Sequence, residues 1–200
     1  MKASAQAIAL VFALVLGSAI SVAAHATEWT FVARLDDKPI GTHRFDLSDD
    51  GNGRTLLSEA RFAVKFLGIT AYRYRHNATE HWRGDCLSEL SSTTDDDGKP
   101  VKVHLDGTAL TGCAMSFAYW NPVMLQQTHL INPETGEDVA VTINRVGEES
   151  VQVHKAPIHA QRYHLHSAKL EIDLWYSDQG EWLALESALE KGRRLRYVIE

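Results

Sequence analysis

Basic charge, cysteine and long apolar runs are all in short supply in this chain, and each shortage removes a class of function. Lysine and arginine total 20 against 26 aspartates and glutamates, a net charge of −6. Nucleic-acid binding depends on neutralising phosphates, so an acidic chain is a poor candidate for it. There is also no basic cluster to hold anionic lipid. The two cysteines, Cys86 and Cys113, are not spaced C-x-x-C, which argues against thiol redox catalysis. Beyond residue 26 no run of about 18 apolar residues occurs, so no transmembrane helix is expected. The catalytic signatures G-x-S-x-G and H-E-x-x-H and the phosphate loop are all missing. Gly51-Asn52-Gly53 is a hairpin pair of glycines, not a dinucleotide fingerprint. Asp95-Asp96-Asp97 reads as a solvated turn, because a calcium loop needs alternating carboxylates and a distant bidentate glutamate. No cofactor is expected.

What is present at the start is an export signal. Lys2 is followed by an apolar run from Ala7 to Leu16 and then by the small-x-small triplet Ala24-His25-Ala26. The run is too short for a membrane span and no stop-transfer charges follow, so it reads as a secretory signal peptide cut after Ala26. The mature chain, residues 27–200, is then a single β domain in the periplasm, with 19 basic and 26 acidic residues. No cysteine stands at the cleavage point to take a lipid anchor. In an oxidising compartment, Cys86 and Cys113 read most simply as a disulfide, with two buried free thiols as the alternative.

Most of the mature region alternates with a period of two. Val101, Val103 and Leu105 oppose Lys102, His104 and Asp106; Val139, Val141 and Ile143 oppose Ala140, Thr142 and Asn144. Leu170, Ile172, Leu174 and Tyr176 repeat the pattern, as do Leu195, Tyr197 and Ile199. That is the period of strands with one wet and one buried face. Turn residues at Asp36–Pro39, Asp49–Gly53, Asp95–Gly98, Asn132–Gly136, Ser177–Gly180 and Glu190–Gly192 separate the runs. The fold expected is all-β: a strongly curved antiparallel meander of about ten or eleven strands, a β-roll or half-barrel. One stretch, Ser116–Gln127, breaks the rhythm. Asn121 can cap a helix and Pro122 suits its first turn, so a short helix of about two turns is expected near 121–127, lying across the sheet as a partial cover.

Three groups of side chains could carry function. Phe117, Tyr119, Trp120 and Asn121 sit at the strand-to-helix break, either as the wall of an apolar cavity or as a plug in the core. Tyr72 and Tyr74 share a strand face with His76 and Trp82, as a ligand pocket or as core packing. His164 and His166 project from one strand face at a spacing that suits zinc or copper, or else decorate the wet face while Tyr163 and Leu165 fill the core.

The blocks Ser116-Phe117-Ala118-Tyr119-Trp120-Asn121-Pro122, Leu130 to Glu137, Asp173-Leu174-Trp175-Tyr176 and Leu195-Arg196-Tyr197 resemble an exported bacterial family known only as a domain of unknown function. More remotely the chain is similar to periplasmic β-roll proteins and half-barrel lipoprotein carriers. That likeness implies a curved sheet cradling an apolar ligand and implies no catalytic residues.

Together these features point to an exported, non-enzymatic protein that binds a lipid or similar apolar molecule on the concave sheet face. One alternative is an envelope structural protein with a filled core and a protein partner at a sheet edge. Others are an enzyme drawing on scattered groups such as His164, Glu171 and Asp173, and an outer-membrane barrel. Against the barrel stand the charged residues inside several strands and the Ile199-Glu200 end.

Overall fold

The computed structural model describes residues 25–66 and 69–200. The expected signal peptide lies outside the described residues, save that His25 and Ala26 open the first strand.

Thirteen strands follow one another among the described residues. The first six are β1 His25–Leu35, β2 Lys38–Asp49, β3 Arg54–Phe66, β4 Ile69–Arg83, β5 Cys86–Asp96 and β6 Lys99–Leu105. A long connection then carries the short pair β7 His129–Ile131 and β8 Asp138–Ala140. The last five are β9 Thr142–Val153, β10 Ala156–His166, β11 Glu171–Tyr176, β12 Trp182–Ala188 and β13 Arg194–Val198. Eleven of them form one antiparallel sheet in the order β6-β5-β4-β3-β2-β1-β13-β12-β11-β10-β9. Two meanders therefore meet where β1 pairs with β13, for example Val32 with Val198 and Leu35 with Leu195. The sheet is open, with β6 and β9 at its edges.

Turn chemistry explains the hairpins. Asp36 and Asp37 have φ of 49° and 66°, and Asp97 and Gly98 have 50° and 84°. Positive φ at both central residues gives the turn whose twist matches that of antiparallel strands. His154 and Lys155 do the same without a turn signature, at 48° and 64°. There the chain is held from outside, by the His154 N–H donating to the Ile199 carbonyl (3.1 Å).

The sheet bends until its halves face each other. Leu56, Leu90 and Val103 from one meander share a single core with Leu165, Ile172 and Leu185 from the other. Phe31, fully buried on β1, lies 4.1 Å (ring centroids) from Trp182 on β12. Gly41 marks a close approach within the curve. A Cβ there would lie 1.9 Å from the Arg61 carbonyl oxygen, at a φ of +152°. A glycine-to-alanine change that fits stabilises by about 0.4–1 kcal/mol, and one that does not fit costs more than that, so Gly41→Ala is expected to destabilise the fold by more than ~1 kcal/mol and to lower the urea midpoint accordingly. An unchanged midpoint would show that β2 and β3 can move apart there.

The 106–141 connection crosses the open side of the curve. Met115, Ala118, Trp120, Met124 and Leu130 from it are buried against the sheet. Its helix is shorter and tighter than the sequence suggests: five residues of 3-10 helix, Pro122–Gln126, capped by the Asn121 side chain. It stops because Gln127 returns to extended geometry and Thr128 accepts a hydrogen bond from Val141 on the way into β7.

Candidate functional site

Beneath this connection lies a hollow of about 210 Å³. Its floor is the concave face of β2, β3 and β4, and β11, β12 and β13 form the opposite wall. Phe117, Tyr119 and Trp120, with Asn132, Pro133 and Glu134, cover it.

The cover is fastened at several points. Cys86, at the start of β5, is bonded to Cys113 in the connection. The Leu87 N–H donates to the Ala114 carbonyl at 2.8 Å, and Ser92 Oγ donates to the Pro133 carbonyl. Tyr74 Oη donates to Glu134. From the other half, Tyr176 Oη donates to the Tyr119 carbonyl at 2.7 Å.

The wall mixes apolar surface with buried polar groups. Alternation along β4 sends Tyr74, His76, Ala78, Glu80 and Trp82 to one face. His76 is buried, with Nδ1 2.9 Å from Thr94 Oγ1 on β5. His43 on β2 lies between Ser58 Oγ, 2.7 Å from Nε2, and Tyr197 Oη, 3.1 Å from Nδ1. Burial pushes the His43 imidazole down to about 3 and His76 down to about 4, so both rings are neutral at pH 7. Glu80 is only 3% exposed. Its Oε2 accepts from Trp82 Nε1 (3.1 Å) and from Ser116 Oγ (3.0 Å). Burial raises its carboxyl to about 7 against the opposing pull of those two hydrogen bonds. Burial likewise raises Glu134, opposed by the bond from Tyr74.

Ser58 and His43 have the separation of a nucleophile and its base. The chemistry is poor, because an imidazole depressed to about 3 is far too weak a base at neutral pH. Its other nitrogen meets a tyrosine hydroxyl rather than a carboxylate.

Of the residues singled out in the sequence, Phe117, Tyr119 and Trp120 line the hollow. Tyr74 stands behind that lining and reaches it through Glu134, stacked on Phe62 at 5.3 Å. Tyr72 and Asn121 are not in the lining. Tyr72 is half-buried further along β4, beside Asp96. Asn121 is spent on structure: Oδ1 accepts from the Val123 N–H and Nδ2 donates to Asp85. Trp120 packs edge-on to Trp82 at 5.4 Å, with the Arg54 guanidinium 4.7 Å from its ring centre.

His164 and His166 lie outside, on β10, while Leu165 between them is fully buried. Each is engaged by carboxylates: His164 with Asp173 (2.9 Å) and Glu171 (3.0 Å), and His166 with Glu171 (2.6 Å). Among the described residues no group of three histidine, cysteine or acidic side chains is arranged to hold a metal ion.

His43, Ser58, Glu80 and Glu134 were not singled out in the sequence. For Glu80 the signal exists: continuing the two-residue period from Tyr74 and His76 places it on the buried face. His43 and Glu134 lie outside the aromatic stripe, and only the curl of the sheet brings them to the hollow.

No curated protein and no solved structure matches the chain. The remoter likeness to β-roll and carrier proteins therefore finds no support in either comparison. Residues 31–200, nearly all of the β domain, match the family model of a domain of unknown function, DUF6134, and the chain belongs to that family.

Proposed function

We propose that this is a non-enzymatic binding protein of the periplasm that holds one small molecule with an apolar body between the sheet and the Phe117–Trp120 segment. The observation that carries the reading is the hollow itself. It has aromatic and aliphatic walls and buried polar groups placed where they could orient a ligand, the usual composition of a ligand site. Export is supported by the Lys2, Ala7–Leu16 and Ala24–Ala26 pattern, and the disulfide suits an oxidising compartment. The weakness of His43 as a base favours binding over acyl-transfer chemistry.

The volume narrows the ligand. Small-molecule pockets usually run from about 300 to 1,000 Å³, and a dry cavity of about 150 Å³ takes benzene. A hollow of about 210 Å³ suits a molecule somewhat larger than benzene and is too small for a whole long-chain lipid.

Ala78, buried on the floor, offers the test. Ala78→Leu should fill the hollow. Toluene binding, followed by calorimetry, is expected in the parent and lost in the variant, with the melting temperature unchanged or raised. If the space is already filled, overpacking would cost about 1–3 kcal/mol. A lowered melting temperature with no toluene binding by the parent would end the reading.

A further inference from the structure

Resting on that binding reading, we propose that the hollow selects a small apolar amine, whose ammonium group pairs with the Glu80 carboxylate and whose hydrocarbon body lies against Phe45, Phe117, Tyr119 and Trp120. Glu80 lines the hollow and is 97% buried by its 3% exposure. Both of its donors, Trp82 Nε1 and Ser116 Oγ, bind the same oxygen, Oε2. Oε1 has no donor among the described residues and is left for the hollow. An isolated buried carboxylate is costly, and the usual remedy is a cation beside it.

Among the described residues none provides that cation in the hollow. No lysine or arginine is in the lining, and the second acid, Glu134, has Tyr74 as its partner. Arg54 reaches Trp120 but is paired with Asp85. The two imidazoles in the wall are held neutral by burial, so neither serves as a counter-ion. A ligand bearing a carboxylate or phosphate would meet two acids and no cation. An ammonium would complete the Glu80 ion pair and lie among aromatic rings, whose faces attract cations.

Three ligands of similar shape separate charge from hydrophobic fit: 2-phenylethylamine, 2-phenylethanol and 3-phenylpropionate. In calorimetry at pH 7.5 the amine is expected to bind at least tenfold more tightly than the alcohol, and the carboxylate to give no heat. Glu80→Gln keeps an oxygen for Trp82 and Ser116. It should bring the amine down to the level of the alcohol, while the melting temperature at pH 7.5 rises because the variant no longer buries an ionised carboxylate. If toluene and the alcohol bind but the amine shows no advantage, or keeps its advantage in Glu80→Gln, the amine assignment is wrong while the binding reading stands. If none of these ligands binds, the binding reading falls and takes the assignment with it.

Discussion

Replacing Cys86 and Cys113 together with serine lowers the free energy of unfolding by about 3–4 kcal/mol. The bridge spans 27 positions, and a loop of that size loses roughly this much chain entropy when closed in the unfolded state. Stabilities of single domains run from about 5 to 15 kcal/mol, so the loss is a large fraction of the total. It also has a local side. Cys113 lies just ahead of Met115 to Trp120, the part of the connection that covers the hollow, and Cys86 sits beside the Leu87–Ala114 backbone bond. Loss of the bridge should therefore weaken toluene binding more than global unfolding alone explains. Urea denaturation of oxidised and reduced protein measures the first effect. Identical midpoints would show that Asn121–Asp85, Ser92–Pro133 and the buried core hold the connection unaided.

The second large effect is on acid stability, and it comes from opposed buried groups. His43 and His76 are depressed in the folded state to about 3 and about 4 from the ordinary 6.5. Above pH 6.5 both states are neutral and nothing is lost. Below it the unfolded chain takes up protons that the folded chain refuses, so stability falls as pH drops, by about 1.4 kcal/mol per unit for each ring. Glu80 acts in the other direction. Its folded value of about 7 lies above the ordinary 4.5, so between those values the folded state holds a proton that the unfolded chain has released. Stability therefore rises as pH falls through that window, offsetting one histidine. The net expectation is a maximum near pH 6.5 and a loss of about 3 kcal/mol by pH 4.5, steepening below that. His76→Gln should nearly flatten this limb, and Glu80→Gln should roughly double its slope. Urea midpoints from pH 4.5 to 7.5 for the three proteins decide the matter. Three parallel curves would mean that water in the hollow already solvates these groups.

Much of this architecture was legible in the amino-acid sequence because it is local. Alternation assigned Leu174 and Tyr176 to the core and Lys102 and His104 to the wet face. Aspartate-rich turns located the hairpins, Asn121-Pro122 located the helix start, and compartment logic paired the cysteines. What escaped was set by curvature. Periodicity tells which face a side chain takes but not which distant strand that face will meet. His43 on β2 and Tyr197 on β13 are 154 positions apart yet share a hydrogen bond. Tyr72 and Tyr74 are neighbours on one strand face, yet the hollow ends before either, so face alone overstated their reach. Asn121 illustrates a second limit. Its side chain can cap a helix or meet a ligand, and the Val123 N–H and Asp85 claim it first. The polar interior was the hardest to foresee, since a glutamate in a strand is usually wet, and Glu80 is buried through contacts 36 positions away at Ser116.

The seam between β1 and β13 bears on how the molecule is made. Strands β1 to β6 can zip together in chain order, each beside the one before it, but the second flank of β1 stays bare until residues 194–198 arrive to pair with it. Through that interval Phe31 has no Trp182 to lie against, and an unsatisfied strand edge is open to pairing with another chain. Joining the two meanders is thus a late, long-range event of the kind that slows folding. A chain that lacks β13 therefore leaves one flank of β1 open to pairing with a neighbour.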